Sequence, residues 1–216
     1  MPDRALRGVG VLETNALLTL PNRRIRDPYV RWCGRGGAVR LPPIPIALAV
    51  LILFAGNETT TNLIGNTVLA LLNHPTELAK VRANRSLVPQ LIEEVLRYDG
   101  AVQGVFRVAV RDVELAGTTI PADALVFYLN GSANRDERKY AEPDRFDVLR
   151  NPRDHLAFGY GIHYCLGAQL ARLEAKVALD ALLFEQPPFV RTSGEVTRVD
   201  GLAVRGPKTL PLRFAA

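Results

Sequence analysis

The feature that constrains this chain most is a long apolar run, IALAVLILFAGNETTTNLIGNTVLALLN, which extends from Ile46 to Asn73 and contains a single charged residue, Glu58. Prolines lie just before and just after the run, and proline is excluded from a helix interior and restricts the residue before it. The first half of the run is apolar on nearly all sides. It therefore predicts a long helix over 46–73 that is buried in the fold.

The sequence contains no signal for export or for a membrane span. Its one candidate span, Leu41 to Asn57, is shorter than the roughly 18 apolar residues that a crossing helix needs, and it contains three prolines. Residues 1–20 lack the basic start, apolar core and cleavage site of a signal peptide. The two cysteines, Cys33 and Cys165, lie in dissimilar contexts and do not suggest a disulfide framework. We therefore predict a cytoplasmic protein without a membrane span.

The formal net charge of +5 comes entirely from the first 40 residues, which contain eight arginines and three acidic residues. No basic stripe with interleaved aromatic residues follows, so nucleic-acid binding is not predicted. Residues 1–43 are rich in arginine and glycine and show no sustained periodicity. They are expected to form a poorly ordered arm, or to be foreign to the domain that spans 44–216.

The rest of the chain is predicted to contain helices, then a small antiparallel sheet, then a last helix. Because helices and strands are segregated along the chain, the predicted fold class is α+β, mostly helical. The periodicity gives these boundaries: helices over 76–84 and 88–98, strands within 102–130, a loop over 131–157, a helix over 166–184 and a weak β-like tail to 212.

Cys165 lies in the loop FGYGIHYCLG, which runs from Phe158 to Gly167. Glycine is favoured where the backbone turns sharply or lies close to a partner, so Gly159 and Gly161, with Gly167, are expected to bend the loop tightly. A helix is predicted to begin directly after Cys165. Free backbone N–H groups at a helix start, together with the helix dipole, favour a thiolate.

The residues alone leave three interpretations of Cys165 open. It is an inert buried cysteine beside a turn, a nucleophile that uses His163 as its base, or a metal ligand. A metal site made of protein ligands alone needs further Cys or His residues at suitable spacing, and the sequence has none. A cofactor metal that brings its own equatorial ligands needs only one thiolate.

Polar residues interrupt the long apolar run at AGNETTT, where Glu58 and Thr59 place an acid beside a hydroxyl. Threonine in a helix competes for backbone carbonyls and loosens the helix locally. The segment is either a polar face turned to water or a polar notch in a buried helix. Such a notch is suited to hold water and to relay protons.

Two further charged features carry information about a site. Glu94 and Arg97 stand three residues apart on one helix face and can pair, although such pairs are usually exposed and contribute little. Arg145, in EPDRFD, is a candidate third partner. Arg107 lies in a strand built for burial, and it is either an edge-strand arginine or a contact for an anionic group.

These motifs together resemble the cytochrome P-450 superfamily of haem-thiolate monooxygenases, from about Ile46 to Leu212. The cysteine loop fits the haem-binding signature Phe-Gly-x-Gly-x-His-x-Cys-x-Gly at every fixed position, which is highly specific. The acid–threonine pair, the Glu-x-x-Arg motif and the Pro-x-x-Phe motif (PDRF) fall in the expected order. The resemblance implies the C-terminal half of that fold: a long central helix, a small antiparallel sheet, the cysteine loop and the helix after it.

The resemblance implies haem b (iron protoporphyrin IX) as the cofactor, with Cys165 as the thiolate ligand of its iron. It further implies that Phe158 packs near the haem and shields the sulfur, and that Gly167 belongs to the haem-binding loop. Arg107 and His163 would hold the haem propionates, because a cationic side chain beside a carboxylate forms a charge-assisted pair.

The resemblance also implies roles away from the haem contacts. Glu58 and Thr59 would be the catalytic pair that supports proton delivery. Glu94 and Arg97, together with Arg145, would form a buried ion network that fixes the cysteine loop without contacting the substrate.

The function that the resemblance implies is a monooxygenase that inserts one atom of O₂ into an apolar small molecule. Electrons would come from a separate ferredoxin or flavodoxin with its reductase. Arg150, Arg153 and Arg172 near the loop are candidates for a face that docks an acidic partner, with an ordinary solvated surface as the alternative. Because the family domain is longer than this chain, we expect a truncated C-terminal half. The alternative function is a non-catalytic fragment with weak or no haem binding.

Overall fold

The computed structural model describes residues 46–192, 195–198 and 201–215. The expectations for residues 1–43, and for Cys33 with them, lie outside the described residues. Short 3₁₀ turns at Arg85–Leu87 and Gly161–His163 and a π-helical turn at Ala181–Glu185 accompany the helices. The helices are α1 (Ile46–Asn73), α2 (Pro75–Ala83), α3 (Val88–Asp99), α4 (Asn130–Ala133) and α5 (Ala168–Asp180).

The predicted helices are confirmed, and their ends follow local chemistry. Helix α1 ends before the His74-Pro75 pair, and α2 begins at Pro75, where the missing N–H of proline costs no hydrogen bond. Helix α5 starts two residues later than predicted, because Leu166 and Gly167 form a turn. None of the described helices combines the length and the apolar character needed to cross a membrane.

Within the described residues, six strands form three separate antiparallel pairs, so the prediction of a small antiparallel β region is confirmed. Strand β1 pairs with β4, β2 with β3 across the Ala116-Gly117 turn, and β5 with β6. A two-stranded pair of this length is at best marginally stable on its own. The strands are β1 (Val105–Val108), β2 (Val113–Leu115), β3 (Thr118–Ile120), β4 (Leu125–Tyr128), β5 (Phe189–Arg191) and β6 (Leu212–Phe214).

The start of α1 is exposed, which corrects the prediction that the whole run is buried. Leu53 and Phe54 are 71% and 74% exposed, and burial in this helix begins only at Thr60. A helix that is apolar on all sides needs neighbours on all sides. Apolar side chains in the 46–54 stretch remain open to solvent, so they form an apolar patch of the kind that promotes association.

The core is made by the second half of α1 together with α3, α5 and the loop that leads to the cysteine segment. Helix α3 packs against α5, and Leu91 and Val95 on α3 are completely buried. The side chain of Asn66 on α1 donates to the carbonyls of Asp99 and Arg205. These two hydrogen bonds join α1 to the end of α3 and to the segment around Arg205.

Glu94 and Arg97 form the expected pair, and both side chains are inaccessible to solvent. Arg97 donates one hydrogen bond to each carboxylate oxygen of Glu94, and both nitrogen–oxygen distances are 2.8 Å. The remaining donor capacity of the guanidinium goes to the backbone carbonyls of Asn134, Pro143 and Arg145. One charge pair on α3 therefore fixes the course of the following loop at three points, with the geometry of a bidentate arginine–carboxylate pair.

The structure differs from expectation at Arg145, whose side chain points out of this network. Arg145 contributes its backbone carbonyl to Arg97, while its guanidinium pairs with Glu142 at 2.9 Å in an exposed position. The cause is a turn in which the Arg145 N–H donates to the Glu142 carbonyl. Arg150 is the second guanidinium that reaches Glu94, at 3.4 Å, and it also donates to the carbonyl of Ala141.

Glu94→Gln should lower the free energy of unfolding by about 3–5 kcal/mol, because it leaves the buried Arg97 charge without its partner. The matched change Glu142→Gln removes an exposed pair with Arg145 and should cost no more than about 1 kcal/mol. Urea unfolding of the two variants measures the difference. Equal losses would contradict the assignment of the Glu94–Arg97 pair as the anchor of the loop.

Candidate functional site

The cysteine loop is closed by hydrogen bonds between backbone groups. The N–H of Cys165 donates to the carbonyl of Phe158 at 2.9 Å, which joins the two ends of the loop. Between them, the N–H of Tyr164 donates to the carbonyl of Gly161 at 3.0 Å. Gly159 and Gly161 have φ angles of +74° and +70°, which glycine adopts at no steric cost. Two of the three glycines therefore make the expected bends.

Gly167 has an ordinary backbone conformation and is the N-cap of α5, with a φ of −85°. The Cys165 sulfur lies beside it, since a Cβ atom placed on Gly167 would be 4.0 Å from Sγ. Cys165 thus lies two residues before the cap, and its carbonyl accepts from the N–H of Ala168 at 3.3 Å. The sequence placed the helix start directly after the cysteine, and the intervening turn accounts for the difference.

Cys165 is a free, exposed thiol, which removes the interpretation of a buried inert cysteine. Apolar side chains around it are also exposed: Tyr160 is 87%, Ile162 is 99% and Leu166 is 91% accessible. Among the described ranges 46–192, 195–198 and 201–215, no three His, Cys, Asp or Glu side chains converge to hold a metal. One thiol beside an apolar surface is the donor set for a metal that carries its other ligands in a flat apolar cofactor. The residues present fit a haem.

Of the other predicted haem contacts, the cationic candidates His163 and Arg107 are exposed, whereas Phe158 is half-buried against the core. His163 ends the 3₁₀ turn of the loop and is exposed. Arg107 lies on β1, where its guanidinium donates to the Phe106 carbonyl and lies 5.5 Å from the centre of the Tyr128 ring. Within the described part of the chain, Arg107 pairs with no carboxylate.

Glu58 and Thr59 are neighbours in a continuous stretch of α1, with Glu58 exposed and Thr59 half-buried. The hydroxyl of Thr61 donates to the Asn57 carbonyl at 2.8 Å, the helix contact that the threonines were expected to make. Asn57 and Thr61 are exposed as well. The structure therefore shows the polar segment accessible to solvent at the point where burial of α1 begins.

A second ion cluster, which the sequence analysis missed, lies between α3 and the cysteine loop. Glu93, the neighbour of Glu94, accepts from Arg172 on α5 at 2.6 and 3.0 Å. Its carboxylate also lies 3.1 Å from Nε2 of the buried His155. We call Glu93, His155 and Arg172 the loop clamp, because these residues belong to α3, to the segment just before the loop and to the helix just after it.

The loop clamp determines the charge state of Glu93. Burial opposes ionisation of this carboxyl, but hydrogen bonds from His155 and Arg172 and the charge of Arg172 outweigh it and lower the pKa of Glu93 to about 2. The hydrogen bond to Glu93 is also the main cause that raises the pKa of Arg172. Both groups are therefore ionised at neutral pH, and the pair is held by charge-assisted hydrogen bonds.

The candidate docking arginines are mostly committed to contacts within the chain. The Arg150 side chain is largely buried and bonded to Glu94 and to loop carbonyls. Arg172 is held by Glu93. Only Arg153 of the three is exposed. Internal carboxylates and carbonyls therefore use donors of Arg150 and Arg172, and the partner-binding face stays a prediction.

A signal for the loop clamp is present in the sequence as the Glu93-Glu94 doublet. Neighbouring residues of a helix point about 100° apart, so two adjacent acids in a buried helix face different surroundings and need separate partners. Glu94 finds them in Arg97 of the same helix and in the loop before the cysteine segment, and Glu93 finds them at His155 and Arg172. The location of those partners depends on the tertiary packing and not on any local pattern.

Comparison with known proteins identifies the family. The model of the cytochrome P-450 family matches residues 46–185, which is more than half of the chain. The chain belongs to the cytochrome P-450 family. Membership agrees with the α+β, mostly helical fold, because a solved cytochrome P-450 from Chondromyces apiculatus superimposes with a TM-score of 0.77 at 47% identity. That superposition covers 83% of this chain and 47% of the solved cytochrome P-450.

Two curated relatives show how much of a related protein this chain matches. The chain is 44% identical to pentalenic acid synthase of Streptomyces avermitilis over 98% of its own length and 56% of that protein. It is 48% identical to a biotin biosynthesis cytochrome P-450 of Bacillus subtilis, over 76% of this chain and 42% of the relative. The chain thus spans about half the length of these relatives. The first alignment extends into residues 1–43, whose assignment as a non-family arm stays a prediction.

Glu93→Gln should destabilise the fold by an amount that depends on pH. The clamp lowers the pKa of Glu93 from 4.5 to about 2, so its contribution is complete above pH 4.5 and is lost as the pH falls towards 2. We expect the variant to unfold about 2 kcal/mol more easily than the parent at neutral pH, with a smaller difference in acid.

Urea unfolding at several pH values measures this change, with Glu137→Gln, at an exposed position, as the matched control. A difference between Glu93→Gln and the parent that stays constant from neutral pH to about pH 3 would show that Glu93 is not held ionised by the clamp.

Proposed function

We propose that this chain provides the haem-thiolate half of a monooxygenase that inserts one atom of O₂ into an apolar small molecule. The observation that carries the proposal is the exposed Cys165 thiol at the end of a glycine-bent loop that fits the family signature at every fixed position. Membership in the cytochrome P-450 family implies a haem, and the exposed apolar surface beside Cys165 supports haem b as the flat partner.

The loop and the strand beside it supply groups suited to hold this cofactor. Cys165 would bind the iron through its sulfur, and Phe158 would shield that sulfur from water on one side. Arg107 and His163 would bind the carboxylates of the cofactor through charge-assisted hydrogen bonds. When bound, the haem would supply O₂ activation with two electrons drawn from the separate electron donor, and a thiolate ligand favours cleavage of the O–O bond.

The contribution of the long helix is proton transfer. Glu58 and Thr59 place a carboxylate and a hydroxyl on consecutive residues of α1, at the boundary between its exposed and buried parts. We propose that Glu58 exchanges protons with solvent at its carboxylate and that Thr59 passes them on through its hydroxyl oxygen. Glu94 and Arg97 contribute indirectly, since their pair holds the loop carbonyls in place.

The partners of this function are an apolar small-molecule substrate and a separate electron donor, a ferredoxin or flavodoxin with its reductase. An exposed free thiol at Cys165 is compatible with a reducing compartment, and we propose the cytoplasm. Because the chain spans about half the length of its relatives, the competing proposal is a non-catalytic fragment with weak or no haem binding.

Titration of the full chain with haemin, followed by reduction and carbon monoxide, should give the red-shifted absorption band of a thiolate-ligated haem. Cys165→Ala should remove that band, whereas Cys33→Ala is the matched control and should retain it. The same band in Cys165→Ala would overturn the ligand assignment. No uptake of haem would favour the non-catalytic fragment.

A further inference from the structure

We propose that the loop clamp formed by Glu93, Arg172 and His155 is a positioning device that sets the geometry of the cysteine loop before any cofactor binds. This inference deepens the proposed function, on which its relevance to haem rests. It makes Glu93 and Arg172 positioning residues for Cys165, although neither residue contacts the sulfur. The evidence is a continuous series of contacts from α3 to the backbone of Cys165.

The first contact in the series is the bidentate pair between Glu93 and Arg172, which joins α3 to α5. A third donor of the same guanidinium bonds the carbonyl of Ala168 at 3.3 Å, in the first turn of α5. The Arg172 side chain is therefore held at both ends of its planar fork, and a planar fork so held has one orientation.

The second contact is between that guanidinium and the first residue of the loop. The central carbon of the Arg172 guanidinium lies 4.5 Å from the centre of the Phe158 ring, which is the range of an attractive cation–π contact. The Phe158 ring also contacts the rings of His155 and Tyr164. Phe158 is thus in contact with the Arg172 guanidinium and with two tilted aromatic rings.

The third contact links Phe158 to the cysteine, because the carbonyl of Phe158 accepts a hydrogen bond from the N–H of Cys165 at 2.9 Å. The hydrogen bond that closes the loop is therefore made by Phe158, the residue whose ring contacts Arg172. A shift of Phe158 would open that hydrogen bond and release Cys165 from its place beside Gly167.

His155 orients the clamp from the other side. Its Nδ1 accepts the N–H of Ala157 at 3.2 Å, so the ring hydrogen is on Nε2 and is donated to Glu93, 3.1 Å away. The neighbouring Leu156 N–H donates to the side-chain oxygen of Asn134 at 2.7 Å. The backbone carbonyl of Asn134 in turn accepts a hydrogen bond from Arg97. The segment before the loop is therefore tied to both carboxylates of α3, to Glu93 directly and to Glu94 through Arg97.

Hydrogen exchange of the cofactor-free full chain tests the inference, because the amide of Cys165 reports on its bond to Phe158. Arg172→Lys keeps the positive charge but removes the planar fork, so it should speed exchange in peptides spanning 158–166 by about tenfold. Exchange in α3 peptides should stay unchanged. The matched control Arg138→Lys alters an exposed pair with Asp136 and should change neither region.

Glu93→Gln is the second variant. It also lowers the stability of the whole fold, so exchange should quicken throughout the chain, and the positioning role predicts a larger acceleration in the peptides spanning 158–166 than in α3. An equal acceleration in both regions would overturn the proposal, because it would show a general loss of stability and not a positioning role. Unchanged exchange in 158–166 in both variants would overturn it as well. If Arg172→Lys does not fold, the pattern in Glu93→Gln decides.

The outcome is separate from that of the proposed function, since no haem is present in this experiment. Local loosening in the variants together with a parent chain that takes up no haem would sustain the clamp and reject the haem-thiolate proposal. Uptake of haem by the parent with no local loosening in the variants would reject the clamp and sustain the haem-thiolate proposal.

Discussion

The rest of this structure depends on one buried charge pair, Glu94 with Arg97. Both side chains are removed from water, which is costly unless each charge is fully hydrogen-bonded. The fold meets that requirement with backbone carbonyls of the loop after α4, so the loop has to follow one path around Arg97. Stability and loop geometry therefore have the same physical cause.

Helix α3 uses two adjacent carboxylates for two elements that are distant in sequence. Glu94 binds the loop before the cysteine segment through Arg97 and Arg150, and Glu93 binds the segment itself through His155 and Arg172. Because the helix is rigid and packs against α5, the two groups of contacts are held at a fixed separation. This arrangement places an exposed thiol on a loop whose backbone is fixed from both sides.

The sequence was sufficient to predict the four longer helices, the antiparallel β region and the bends at Gly159 and Gly161, since those depend on periodicity, proline positions and turn residues. It missed the short helix α4, which lies at the start of the predicted loop. It failed where burial depends on other parts of the fold. The apolar start of α1 carries a pattern typical of a buried helix, yet Phe54 is exposed. Likewise, the PDRF motif suggested the Arg145 side chain as a partner of Glu94, and only the turn at Glu142 shows that Arg150 takes that place.

The central claim is that α3 and its partners hold Cys165 where it serves as the thiolate ligand of a haem. Resonance Raman spectroscopy of the haem-loaded full chain, prepared once with natural cysteine and once with ³⁴S-labelled cysteine, tests that claim most directly. The account predicts an iron–sulfur stretching band that moves to lower frequency with the heavier isotope and is absent in Cys165→Ala. A bound haem whose spectrum is identical with both isotopes would contradict it.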